Sequence, residues 1–329
     1  MCAMMTRVMS VNLVAKQFLQ SLALAGVLPA VMISAISNGF SKMEDPPMLP
    51  EESRERYEIT VLDGDGNPEA MELETYVTGV VLGEVSGEFN VEALKAQAVA
   101  ARTYTRYCIE VLKKHSGGAV CTDYHCCQAY CDPEEYSGNG GTDLELKKVM
   151  KAVEDTAGEV LRYGTDLICA TYFASSGGMT EDASEVWGKS YPYLKSVNSP
   201  GEEECGYFCQ RVSMSPSELK DVLGVQLKGA PSTWFGMIKY TVGGGVDLMR
   251  IGGRLYTGVE LRKLLKLRST IMTITATDDE IIIETKGYGH RVGMSQHGAN
   301  AMANHGQSYR DILEHYYTDT TLDQSESGI

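Results

Sequence analysis

Three groups of residues in this sequence have the types and spacing for chemistry. The first is a single carboxylate, Glu84, which closes an apolar run beginning at Tyr76. A carboxylate at the edge of an apolar element is partly desolvated, and desolvation raises its pKa toward the range a general acid needs at neutral pH. Glu88 is the competing carboxylate. It lies just before a helix opened by Asn90, where negative charge suits the helix dipole, and it reads as structural. The second group is a cluster of sulfur and imidazole. His115 is followed by Cys121, His125, Cys126, Cys127 and Cys131. Zinc takes four tetrahedral N or S ligands. His115, Cys121 and Cys127, with Cys126 or His125 as the fourth, can close such a site within one loop, in a structural role. The alternative for the cluster is one or two disulfides with free thiols. The third group is polar and small. Tyr172, Ser175 and Ser176 precede a glycine pair, and His290, Ser295 and Gln296 sit in a glycine-rich stretch before a short helix. Hydroxyls and small residues at strand ends make a platform for hydroxyl-rich ligands. The glycine spacing is not that of a phosphate-binding loop, and no matching lysine is present. No H-E-x-x-H arrangement puts a base beside metal ligands, which argues against a metallopeptidase.

The elements that position these groups follow from periodicity and capping. Asn90 is a good N-cap, and Val91, Leu94, Ala98, Ala101, Thr105, Cys108 and Leu112 recur at helical spacing as one packed face. The helix is expected to end near Lys113 and Lys114, and its alanines permit close packing. Arg102 reads as a buried ion-pair partner tying this helix to the core. A strand over 57–62 leads into a turn at 63–67, and residues 143–155 form a polar helix. Residues 159–163 and 167–172 are expected to pair as a hairpin around Gly164, Thr165 and Asp166. Trp187, Tyr191 and Tyr193 are core aromatics by default, with sugar stacking as the alternative. Ser215-Pro216-Ser217-Glu218 and Thr257-Gly258-Val259-Glu260 are capping boxes. A strand pair flanks Gly243, Gly244 and Gly245, and a further hairpin spans 272–286. The last helix, over 309–317, is expected to pack on the core.

Length and charge bound the function. The chain has 329 residues, enough for one large or two ordinary domains. Its formal net charge of −15 argues against nucleic-acid binding, since phosphates require lysine and arginine around them. Residues 18–36 are 19 uncharged, mainly apolar residues, close to the ~20 that span a bilayer. Arg7 and Lys16 precede the run and acidic residues follow it, which places the N-terminus in the cytoplasm and the body outside. A cleaved signal peptide is the rival, but no A-x-A site follows. Residues 1–36 are therefore read as tail and anchor, 37–56 as a proline-bearing linker, 57–322 as the catalytic domain and 323–329 as a disordered tail. Residues 205–268 change character and read as a smaller inserted subdomain, where Cys205 and Cys209 form a local disulfide or add metal ligands. The fold class is α+β: a single-pass anchor, then a mixed helix and hairpin domain with an insert.

The segments GVVLGE, EALKAQAVAARTY, FASSGG, LRST and GYGHRVGMSQHGA, in that order, resemble the stage II sporulation protein D family over about residues 57–322. The amidase-enhancer proteins share the domain. The resemblance implies a zinc-binding lytic transglycosylase that cleaves peptidoglycan glycan strands stripped of stem peptides, during engulfment in sporulation. It implies Glu84 as the catalytic acid, and a place at the mother-cell membrane facing the engulfing septum. It also implies the amidase stage II sporulation protein P and the membrane protein stage II sporulation protein M as partners. The alternative is a wall-binding activator of an amidase without chemistry of its own. Hydrolases need two flanking carboxylates, whereas a lytic transglycosylase works with one. Tyr172, Ser175, Ser176, His290, Ser295 and Gln296 are the residues expected to hold the sugar. The family pattern reads GHGVGMSQ; here Arg291 stands in place of the second of those three glycines.

Overall fold

Alternation of apolar and polar residues turns Ile59 and Val61 inward and makes β1 (Glu58–Leu62) a one-faced strand. Asp63 then accepts the backbone N–H groups of Asp65 and Asn67 at 2.9 and 2.8 Å, closing the turn into β2 (Pro68–Glu72). The computed structural model describes residues 57–324. The expected anchor at 18–36, the linker through residue 56 and the end of the tail lie outside the described residues. Among the described residues no helix is long and apolar enough to cross a membrane. They hold eight α-helices and several small sheets, an α+β architecture.

The apolar run before Glu84 is α1 (Leu73–Glu84), in which Tyr76, Val77, Val80 and Val81 are fully buried. A helix apolar on nearly every side must lie inside. It packs on α2 (Val91–Arg106), whose N-cap Asn90 accepts the Glu92 N–H at 3.0 Å. Two faces of α2 are buried rather than one. Leu94, Ala98 and Ala101 join a core with Val61 and Val77, while Ala96, Val99 and Ala100 join a second with Ile168, Met294 and Ile312. Alanine suits a helix wedged between two cores. Arg102 is fully buried and bonded to Glu74 at 2.6 Å, the expected ion pair. The helix then widens into a π turn over Tyr107–Leu112 and ends on Lys113 at φ 49°. The wider turn carries Leu112 off the apolar stripe, and it is exposed, as is Val91 at the other end. β3 (Val120–Cys121) runs parallel to β1. α3 (Asp143–Asp155) starts from a Thr142–Glu145 capping box and buries Val149 and Val153.

β4 (Glu159–Tyr163) pairs with β5 (Asp166–Leu167), and there the expected hairpin stops. Ile168 and Ala170 turn into the core, so the chain leaves the sheet before β6 (Tyr172–Phe173). After α4 (Ala183–Trp187) come β7 (Cys209–Met214) and α5 (Pro216–Leu223), with both capping-box bonds at Ser215. β8 (Phe235–Tyr240), β9 (Val246–Ile251) and β10 (Arg254–Thr257) form a meander, followed by α6 (Gly258–Leu264) on its own capping box. β11 (Ile271–Ala276) and β12 (Ile281–Lys286) pair as a hairpin, and β12 also pairs with β7. These two sheets enclose a third core around Trp234, Met249, Leu261 and Ile283. β13 (Met294–Ser295) lies parallel to β6 and opens α7 (Gln296–Asn304). α8 (Tyr309–Tyr316) buries Ile312, Leu313 and Tyr316. Asp323 and Gln324 are not tail: they belong to β14 (Thr321–Gln324), which pairs with β4.

Candidate functional site

Glu84 is the last residue of α1 and is partly buried. Its Oε1 accepts the backbone N–H of Ala129 at 2.8 Å, and its Oε2 accepts Nε2 of Gln296 at 3.3 Å. Burial raises its pKa; the two donors, which favour the anion, pull the other way and do not cancel the rise. The carboxyl therefore holds a proton above the ordinary glutamate range, while two fixed donors wait for the charge that appears when the proton leaves. Glu88, the neighbouring carboxylate, is exposed.

Ala129 is brought there by the loop that carries the sulfur and imidazole cluster. The loop crosses the last turns of α1 at two glycines four residues apart. The N–H of Cys131 donates to the Gly79 carbonyl at 2.9 Å. A Cβ on Gly83 would lie 2.8 Å from the Tyr130 nitrogen, so no other residue admits this crossing. In the same loop Gln128 is buried; it donates to the Thr105 hydroxyl at 2.8 Å and accepts the Tyr172 hydroxyl at 2.7 Å. Tyr172 is thus held beside the glutamate, whose charge adds to burial in raising the phenol's pKa.

The donor atoms of His115, Cys121, Cys126 and Cys127 lie within 4.8 Å of one another. Nε2 of His115 is 3.4 and 3.5 Å from Sγ of Cys126 and Cys127. A tetrahedral cation with ordinary metal–nitrogen and metal–sulfur bonds needs an edge of roughly 3.5 Å, so the group fits such an ion. His125 is not a member. It is exposed, with Nδ1 3.5 Å from the Asp123 carboxylate, and Cys126 takes the fourth position. The eight cysteines among the described residues are free thiols, Cys205 and Cys209 among them, and neither of these two belongs to the group.

Ser175, Ser176 and Ser295 come together, but around a carboxylate. Their hydroxyls donate to Glu202 at 2.6, 2.7 and 2.9 Å, as does that of Ser199, and all four serines are fully buried. Ser295 also caps α7, accepting the Gly298 N–H at 3.2 Å. The cluster ties the segment after β6 to the start of α7 and so aims Gln296 at Glu84. His290 lies against Phe173 and Trp187, with ring centroids 5.6 and 5.4 Å away. Burial, helped by the Arg262 charge, pushes its pKa down to about 4, so it is neutral at physiological pH. Arg291 occupies φ 67°, the backbone region that favours the glycine of the family pattern. Its guanidinium is fully buried, bonding Glu181 at 2.9 Å, the Ser176 and Met179 carbonyls at 2.7 Å each, and the Gly243 carbonyl.

Of the six expected sugar-binding residues, the structure brings Gln296 and Tyr172 to Glu84. The three serines are engaged internally, and His290 sits on the aromatic side. The sequence reading did not find Gln128, the Ala129 N–H or Glu202. Glu202 opens a run of three glutamates that reads as solvated surface. For the loop, the four-residue spacing of Gly79 and Gly83 was the available signal.

The sequence model of a family described as Stage II sporulation protein matches residues 66–163. That stretch carries Glu84, the glycine crossing and the whole cluster, and it places the fold and site in the class of stage II sporulation proteins. The chain is 38% identical over 267 residues to Stage II sporulation protein D of Bacillus amyloliquefaciens. It is 36% identical over 267 residues to that of Bacillus subtilis (strain 168), and each match spans 79% of this chain and 76% of the relative. The chain belongs to the stage II sporulation protein D family. It is also 30% identical over 302 residues to the Amidase enhancer of Bacillus subtilis, covering 74% of this chain and 40% of that protein.

Proposed function

We propose that this protein is a lytic transglycosylase acting on peptidoglycan glycan strands during sporulation, with Glu84 as its single acid and base. The observation that carries this reading is one proton-holding carboxyl with two anion-stabilising donors and an exposed Glu88 as its nearest sequence neighbour. Glu84 gives its proton to the glycosidic oxygen, and the C1–O bond breaks with oxocarbenium character at C1. The Glu84 carboxylate, steadied by Ala129 and Gln296, then takes the proton of the same sugar's C6 hydroxyl. That oxygen attacks C1 and closes a 1,6-anhydro ring. No water or protein nucleophile enters. Tyr172 and Gln296 border the reacting centre; Ser175, Ser176 and Ser295 act through Glu202 by fixing the platform. His115, Cys121, Cys126 and Cys127 hold a structural zinc, which fixes the loop that presents Ala129. The N-terminal segment anchors the protein, with its body outside the cytoplasm at the mother-cell membrane. The partners are the amidase stage II sporulation protein P, which supplies peptide-free strands, and stage II sporulation protein M.

The test is digestion of peptide-free glycan strands with mass analysis of the products. Anhydro-ended products from the wild type, absent with Glu84→Gln, are expected. Reducing-end products would mean hydrolysis and direct attention to Glu88. The likeness to an amidase enhancer supports a second reading, a wall-bound activator without chemistry. On that reading Glu84→Gln leaves amidase stimulation intact and no strand is cut by either form.

A further inference from the structure

Two guanidiniums beside this site, Arg262 and Arg268, have no acid among the described residues; Arg262 gives its Nε to the Arg268 carbonyl, which leaves Arg268 as the one of the two without a side-chain hydrogen bond. Arg102, Arg106, Arg162, Arg291 and Arg310 each pair with a carboxylate. Arg268, in a chain with 44 acidic and 29 basic residues, forms no ion pair and no side-chain hydrogen bond among the described residues. Glu203 and Glu204, in the neighbouring loop, do not reach it. Its guanidinium instead lies over two tyrosine rings, 5.5 Å from the Tyr207 centroid and 5.4 Å from that of Tyr288. The two rings are themselves 5.8 Å apart and inclined at 58°, so the guanidinium rests against one side of a tilted ring pair with none of its N–H groups taken by a protein acceptor, and a free guanidinium can receive a carboxylate bidentately. The backbone holds it in place: Arg268 N–H donates to Gln210 Oε1 at 2.9 Å, and its carbonyl accepts from Gly289 at 3.0 Å and Arg262 Nε at 3.1 Å.

The location ties this arginine to the reacting centre. The Tyr207 ring lies 5.7 Å from that of His297, which lies 5.1 Å from that of Phe89. His297 follows Gln296, the donor to Glu84. Tyr288 exchanges backbone hydrogen bonds with Ser175 at 3.0 and 2.7 Å. Tyr207 and Tyr288 are 46% and 40% exposed, so large ring faces beside a fixed cation remain open to a ligand. Exposed aromatic faces accept the faces of sugars, and a free guanidinium accepts an anionic substituent on one of them.

We propose that Arg268, seated against the Tyr207–Tyr288 ring pair, binds a carboxylate carried by the glycan, namely the free lactyl carboxylate of a muramic acid without its stem peptide. The proposal rests on the glycan-binding reading above and adds the residue that selects the strand. A stem peptide turns that carboxylate into an amide, which offers no charge to the fork.

The test is equilibrium binding by calorimetry with the full chain, zinc-loaded and carrying Glu84→Gln so that ligands stay intact. Three tetrasaccharides are compared: an N-acetylglucosamine oligomer, a peptide-free strand with free lactyl groups, and the same strand with stem peptides. The peptide-free strand is expected to bind about tenfold tighter than the neutral oligomer, the worth of one charge-assisted contact. Arg268→Gln removes that advantage and leaves the neutral oligomer within about twofold of its original Kd. Arg268→Lys, which keeps the charge without the fork, replaces it if Arg268→Gln lowers the melting temperature, and recovers part of the preference. A preference that survives both variants overturns the assignment. So does an equal loss for charged and neutral ligands, and so does an advantage confined to the peptide-bearing strand, which would assign the anion to the stem. Arg268-dependent binding without any cutting by the Glu84 form would remove the transglycosylase reading and leave this one standing.

Discussion

At the scale of single residues, the proposed working group is a carboxyl poised between two opposed influences. Burial raises the Glu84 pKa, and the Ala129 and Gln296 donors lower it. As the proposed general acid it must be protonated, so cleavage should decline as pH rises through that elevated value. Gln296→Leu removes a donor to the anion and should carry the decline to higher pH; a shift to lower pH would contradict this account. Glu84→Gln should lower cleavage by about 10²-fold or more. It should not lower the melting temperature at neutral pH, because the charged form is the one the fold disfavours. Any gain should shrink as the pH falls through the elevated value and be gone below the ordinary glutamate value of 4.5, where the carboxyl is protonated in folded and unfolded chains alike. His290 runs the other way. Its folded pKa of about 4 lies below the ordinary 6.5. Stability held above pH 6.5 is therefore lost as pH falls toward 4, and His290→Asn should flatten that part of a denaturation-versus-pH curve.

At the scale of elements, the site depends on a loop pressed against a helix. The crossing at Gly83 leaves no room for a Cβ beside the Tyr130 nitrogen. Gly83→Ala should destabilise by about 1–3 kcal/mol in denaturant titrations, as overpacking does. It should also weaken catalysis, because displacing the loop moves the Ala129 N–H. Cys127→Ser opens the four-donor group of the same loop. Chelation or this substitution should accelerate hydrogen exchange at Ala129 and depress activity together. Protection of Ala129 unchanged by a chelator would sever the link between metal and acid.

At the scale of the whole molecule, one buried pair joins distant parts of the chain. Arg291 and Glu181 are 0% and 1% exposed, and the guanidinium also bonds the Gly243 carbonyl in the β8–β9 turn. Arg291→Gly restores the family pattern and relieves the left-handed backbone, but it strands Glu181 in the interior. Breaking such a pair costs about 3–5 kcal/mol. Urea melts should show that loss, and adding Glu181→Gln should recover a good part of it. If the single change is neutral, the pair does not hold these segments together.

The sequence by itself determined most of the elements and singled out Glu84 as the candidate acid. The caps at Asn90, Ser215 and Thr257 are local chemistry, satisfied by neighbours within a few residues, and all three form where the pattern puts them. The apolar run ending at Glu84 and the crowding of His115 with Cys121 and Cys127 are likewise visible in one dimension. Tertiary structure decided what those residues meet. Whether Cys126 or His125 completes the group depends on which way a loop folds. That Ser175, Ser176 and Ser295 face Glu202 rather than a ligand depends on contacts spanning up to 93 residues of sequence. The hairpin expected between 159–163 and 167–172 stops at Leu167 because burying Ile168 and Ala170 outweighs continuing a two-stranded edge. Hydrogen-bond partners far apart in sequence leave no periodic trace, so only the folded chain could choose them.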